Sequence, residues 1–132
     1  MDDPGSQPLT LPQVAEIAEV EYARLHSWVK RGLLSASVLA STGTGSPNLF
    51  SPQDAEKARI LGDLSRAGVD FSSLEEAAAK IGNNGVPDGD LYLSVNGSVE
   101  FLEPSTRLAE LKDPAILYPL RLAREATQHA LS

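Results

Sequence analysis

The sequence predicts an α+β fold, mainly α with small β elements. Three observations carry that prediction. Two short segments with one apolar face each, Leu11–Ala18 and Glu21–Arg31, read as helices separated by a tight turn at Glu19–Val20. A polar loop, Ala40-Ser41-Thr42-Gly43-Thr44-Gly45-Ser46-Pro47, then divides two short apolar runs before a strong helix start at Ser51. In the last third, Asn96-Gly97 stands between alternating apolar residues, the strongest short-range signal of a hairpin.

Each element has a local reason. Residues 1–8 show no periodicity and are expected to be disordered. In the first helix, Leu11, Val14, Ala15 and Ala18 share one face, and Pro12 suits the first turn, where no N–H is needed. Leu25, Trp28 and Val29 give the second helix its buried side, and Gly32 follows basic Lys30 and Arg31 as a C-terminal stop. Two short helices joined in this way have helix-turn-helix spacing. Leu33–Leu39 and Asn48-Leu49-Phe50 read as two short strands, whose hairpin would form a wing. Ser51-Pro52-Gln53-Asp54 is an N-cap, a first-turn proline and a capping-box acid. The helix it opens buries Ala55, Ala58, Ile60, Leu61 and Leu64 and ends at Gly68. Ser73-Leu74-Glu75-Glu76 signals another helix, running to Ile81, with Gly82 and Asn83-Asn84-Gly85 as the stop. Beyond it come the hairpin Leu91–Val95 and Ser98–Leu102, with both Asn96 and Gly97 expected at positive φ. A short helix is expected over Pro104–Leu111, a strand or helix start over Ile116–Leu122, and a helical stretch over Leu120–Leu131. The organisation is then a tail (1–8), a winged helix-turn-helix domain (9–82), and a small α+β module (83–132).

Charge refines this picture. The 132 residues hold 11 Lys and Arg against 18 Asp and Glu, a net charge of −7 that taken whole argues against nucleic acid. The acids are unevenly placed. From Tyr22 to Gln53, 32 residues contain no Asp or Glu and carry a net +3, so the other 100 residues carry −10. This stretch is either a charge-diluting Ser/Gly/Thr loop region or an anion-facing surface on an acidic protein. The absence of cysteine excludes disulfide scaffolds, zinc fingers, iron–sulfur sites and thiol nucleophiles. The sequence has no apolar run of membrane-spanning length, and MDDPGSQP is too acidic and polar for a signal peptide, so a cytoplasmic location is expected.

The ordered set LTLPQVAEIAEV, YARLHSWVKRGLL and NLFSPQDAEKARILGDLSRAGVDFSSLEEA resembles the N-terminal DNA-binding domain of the MerR family. That resemblance implies a winged helix-turn-helix with the second helix in the major groove and the wing along the backbone. It puts Arg24 at a helix-2 threonine position and His26 at that of a phosphate-contacting arginine. Trp28 falls at an aromatic position, and Lys30–Arg31 match the basic pair before Gly32. Asn48 replaces a common wing arginine, and Glu19 a common turn glycine. The long dimerisation helix and metal-binding cysteines of MerR activators have no counterpart here. The C-terminal third is faintly similar to small actinobacterial or phage regulators and antitoxin-like proteins.

The candidate DNA-binding residues are Tyr22, Arg24, His26, Ser27, Lys30, Arg31, Thr42, Thr44 and Asn48. Arg24 can fork onto a guanine edge, or pair with Glu21. Lys30 and Arg31 can bind phosphates, or complement the helix dipole. Tyr22 can contact a phosphate or a thymine methyl, or pack partially. His26 can donate to a phosphate, or be an ordinary surface histidine. Thr42 and Thr44 sit either at a wing tip reaching the minor groove or in a plain flexible loop. Burial against the first helix is expected for Trp28, with a phosphate contact from its N–H as the alternative.

No catalytic or metal constellation emerges, and no cofactor is expected. Ser27-x-x-Lys30 is a chance match to a nucleophile motif, and Asp88-Gly89-Asp90 lacks the remaining ligands of a calcium loop. The expected protein is a small sequence-specific regulator of double-stranded DNA, with no enzyme activity and no membrane partner. It acts as a homo-oligomer or cooperative array assembled through residues 83–132. The rival expectation is a protein-interaction module, antitoxin-like or a phage adaptor, whose acidic C-terminal part binds a partner protein.

Overall fold

A computed structural model of the chain describes residues 8–39, 48–82, 86–87, 91–96, 98–103 and 115–132. Its elements are α1 (Leu11–Ala18), α2 (Tyr22–Lys30), α3 (Pro52–Arg66), α4 (Phe71–Ile81), β1 (Tyr92–Val95), β2 (Val99–Leu102), β3 (Ile116–Pro119) and α5 (Leu120–Leu131). The fold is α+β, as expected. The strands make one antiparallel sheet in the order β2-β1-β3.

The starts of α1, α3 and α4 follow local capping chemistry. Thr10 and Gln13 form a reciprocal capping box at α1, and Ser51 and Asp54 do the same at α3, each with proline in the first turn. At α4 the cap is Asp70 rather than the expected Ser73. Its carboxylate accepts from the Ser73 amide at 3.1 Å, so the helix begins with Phe71 and Ser73 lies inside the first turn. Asp outbids a serine three residues on because it satisfies the same amide with a charged acceptor.

The wing corrects a second expectation. Leu33–Leu39 is not a regular strand. Leu33 and Leu34 turn straight into the core, at 3% and 1% exposure, which breaks the alternation a strand needs. Pairing is confined to isolated antiparallel bridges, Leu39 with Leu49 and Leu9 with Phe50. The first has two hydrogen bonds, of 3.1 and 2.8 Å, and forms the foot of the wing. Leu9 is therefore anchored, while the expected disorder of the tail before Pro8 falls outside the described residues.

The hairpin exists, but its turn differs from the expected one. Val95 pairs with Val99 and not with Ser98, so the register is not that of a two-residue Asn-Gly turn; Gly97 lies outside the described residues. Asn96 does not have positive φ; among the described non-glycine residues only Glu19 does. The burial of Leu93, Val95 and Val99 fixes this register, overriding the two-residue turn that Asn-Gly favours locally. Ile116–Leu122 resolves into both readings: strand to Pro119, then helix from Leu120. The helix expected over Pro104–Leu111 and the stop at Asn83–Gly85 lie outside the described residues.

One core joins these parts. Leu25, Leu34, Phe50, Ile60, Leu61 and Leu64 are fully buried together with Leu93 and Leu120. Helix α3 is the central strut, packing against α1, α4 and α5. The α1–α3 crossing depends on Gly62. A Cβ there would stand 2.8 Å from both the Ala18 carbonyl oxygen and Val20 Cγ2.

Candidate nucleic-acid interface

Helix α2 is amphipathic in the way the sequence indicates. Leu25 and Trp28 face the core, at 0% and 4% exposure, with Val29 half-buried beside them. Ala23, Ser27 and Lys30 then fall on the opposite, exposed side. By helical spacing Tyr22 and His26 flank this ridge on one side, and Arg24 and Arg31 on the other. Tyr22 is 53% exposed, and its ring stacks with that of His26, centroids 6.1 Å apart. Arg24 is exposed and forms no ion pair with Glu21 among the described residues. Ala23 was not singled out by sequence reasoning. It lies at the centre of the exposed face and carries no long side chain.

Arg31 is exposed yet held in place. Its guanidinium lies 3.7 Å over the ring of Phe71, the first residue of α4. Stacking uses the face of the guanidinium and leaves its edge N–H groups for an anion. Phe71 was missed because nothing local marks it; the two residues meet only when α2 and α4 pack. Behind this pair lies a polar cleft of about 380 Å³, lined by Arg31, Leu33, Lys57, Glu75 and Gly82 among others. Its lysine is already engaged: Lys57 Nζ donates to the Gly82 carbonyl at 3.0 Å. Burial pulls the pKa of Lys57 below the ordinary lysine value, and the nearby Asp54 charge offsets this in part.

The acid that ends the acid-free stretch is turned inward. Asp54 is 8% exposed. Its Oδ2 accepts from the Ser37 amide (3.0 Å), the Ser37 hydroxyl (2.6 Å) and the Ser51 amide (2.9 Å). One carboxylate thus caps α3 and pins the foot of the wing. The sequence signals the cap but not Ser37, which is 17 residues away. Asn48 is half-buried beside that foot and has a partner of its own. Thr42 and Thr44 lie outside the described residues. The structure therefore gathers Tyr22, Arg24, His26, Ser27, Lys30 and Arg31 on one helix and its end, with Asn48 on the adjoining wing.

The turn before α2 is held from behind by α3. Arg59 Nη1 donates to the Ile17 carbonyl at 3.1 Å. Arg66 Nη1 donates to those of Ala18 and Glu19 at 3.2 and 2.6 Å. These are among the carbonyls that α1 leaves without intrahelical partners.

Comparison with known proteins agrees with this architecture. The profile of the MerR HTH family of regulatory proteins matches residues 9–81, more than half of the chain. The chain belongs to the MerR family. Its helix-turn-helix, wing foot and α3–α4 pair fall inside the matched segment. Among curated proteins it is similar to uncharacterized HTH-type transcriptional regulators from two strains of Mycobacterium tuberculosis and one of Mycobacterium bovis. Each is 27% identical over 77 residues, covering 58% of this chain and 34% of the relative. The match thus spans about a third of those regulators' length. No helix among the described residues is long and apolar enough to cross a membrane.

Proposed function

We propose that this MerR-family protein is a transcriptional regulator that binds double-stranded DNA sequence-specifically, with α2 in the major groove and the wing along the backbone. The observation that carries the reading is the exposed face of α2. Within an acid-free stretch it displays Arg24, Lys30 and Arg31 beside a stacked Tyr22–His26 pair. Arg24, Tyr22 and His26 read base edges or thymine methyls, while Lys30, Arg31 and the wing, Asn48 and Thr42–Thr44 included, fix position on phosphates. One protomer offers roughly three or four phosphate contacts, which gives weak binding at physiological salt. Function therefore requires a dimer or a cooperative array assembled through residues 83–132. Their outer strands β2 and β3 pair only with β1 among the described residues. Ile116 and Leu122 are also 39% and 43% exposed there. The same surface supports the second reading, a protein partner engaged by the C-terminal part, with the helix-turn-helix as scaffold.

Titrating random duplex DNA across salt separates the two. The DNA reading expects measurable low-salt binding and a log–log salt slope smaller by roughly two in Lys30→Ala with Arg31→Ala. An unchanged slope, or no low-salt binding, favours the partner reading.

A further inference from the structure

Strand β3 is tied to α3 by the phenol of Tyr118. Tyr118 is 8% exposed, and its hydroxyl donates to Asp63 Oδ2 at 2.5 Å. The same oxygen accepts from Arg59 Nε at 3.1 Å, and Asp63 Oδ1 accepts from Arg66. Both arginines direct another nitrogen at the end of α1, onto the carbonyls of Ile17, Ala18 and Glu19. The turn held there needs anchoring. Glu19 sits in the left-handed region, at φ 56° and ψ 43°, which is costly for a residue with a Cβ. Helix α2 starts three residues later with no side-chain cap at Glu21. Its direction therefore depends on the anchors of the turn as well as on the buried Leu25 and Trp28. Asp63 orients both arginine anchors, and Arg59 also pairs with the Glu19 carboxylate at 3.6 Å.

We propose that Tyr118 is a positioning residue for α2: by fixing the Asp63 carboxylate it sets Arg59 and Arg66 on the α1–α2 turn, and so couples the C-terminal strand to the DNA-contacting helix. The consequence for DNA rests on the DNA-binding reading above; the hold on the turn does not. Any event that displaces β3, such as assembly through residues 83–132, would then alter how α2 is presented.

The test uses the full chain carrying Tyr118→Phe, which keeps the ring and removes only the hydroxyl. Without DNA, amide exchange at Val20 and Leu25, whose N–H groups donate to the carbonyls of Ala15 and Glu21, should accelerate by about threefold to tenfold more than at Ala55 and Leu74, which lie away from the turn. The Kd for duplex DNA should rise by a similar factor with an unchanged salt slope, because no phosphate contact is removed. If Tyr118→Phe fails to fold, Arg66→Gln cuts the same path away from the sheet and should reproduce the exchange effect; unchanged exchange at Val20 and Leu25 in that variant overturns the proposal. A variant in which Val20 and Leu25 accelerate no more than Ala55 and Leu74 overturns the proposal, leaving Tyr118 with a packing role. A wild type that binds no duplex DNA overturns the DNA reading, and the DNA-free exchange data still decide whether Tyr118 holds the turn.

Discussion

Helices α2 and α3 both carry cations, and the two sets behave oppositely. Along α3, Lys57, Arg59 and Arg66 turn back onto carbonyls of the protein itself, at Gly82, Ile17, Ala18 and Glu19. Along α2 and its end, Arg24, Lys30 and Arg31 face outward. The difference lies in what surrounds them. Asp63 neutralises the two α3 arginines, whereas the α2 set lies in a stretch, Tyr22 to Gln53, that contains no acid. Cations that complete the fold and cations offered to a partner can thus be told apart by where their donors point. Large stability effects are therefore expected behind α3 and small ones on the face of α2.

The largest effect is expected at Asp54. Asp54→Ala leaves the Ser37 and Ser51 amides without their acceptor and should cost about 3 kcal/mol in urea denaturation. Since Ser37 stands at the foot of the wing, DNA affinity should fall in the remaining folded protein. Gly62→Ala comes next. Alanine favours helix, but here its methyl meets the Ala18 carbonyl and Val20 at 2.8 Å, so a net loss of about 2 kcal/mol is expected, read by the same denaturation. An unchanged midpoint for either variant would break the idea that the rear of the helix-turn-helix is where stability resides.

Much of this division was legible in the sequence, but only its local half. Capping chemistry and periodicity located α1 to the residue and the start of α3, because a cap and its amide lie three residues apart. The acid-free stretch pointed to the face of α2. The α3 arginines were illegible: Arg59 and Arg66 find their acceptors 42 and 48 residues away, and exposed and inward arginines look alike in a sequence. The hairpin loop was misjudged for a related reason, since register is decided by core burial and not by the Asn-Gly dipeptide alone. Phe71 under Arg31 likewise needed the packing of two helices.

Tyr118 and Lys57 give stability a pH dependence. Burial, and then the hydrogen bond to the Asp63 carboxylate, push the Tyr118 phenol far above its ordinary value. The folded chain therefore keeps a proton that the unfolded chain releases near pH 10. This contribution is fully present below about pH 10 and is lost as pH rises beyond it, at up to about 1.4 kcal/mol per pH unit. Lys57 acts with the opposite sign: its lowered pKa raises stability with pH between its folded value and the unfolded one near 10.4. Denaturation midpoints from pH 9 to 11 should fall less steeply in Tyr118→Phe than in the wild type. Parallel curves would mean that the phenol does not carry the alkaline response.

The smallest effect should come from the other helix. Lys30 is exposed in the last turn of α2, where it offers the dipole only a weak, solvent-screened attraction. Lys30→Ala also gains helix propensity, so the two small terms oppose each other, and stability should change by less than about 0.5 kcal/mol. Thermal melts at low and high salt would check this, because a structural role for the charge would make the variant's deficit shrink as salt rises. A loss of 2 kcal/mol or more would place Lys30 with the α3 cations and remove it from the displayed set. A near-zero change in stability beside a shallower DNA salt slope would mean that the side chain serves a partner and not the fold, the property that separates α2 from the helix behind it.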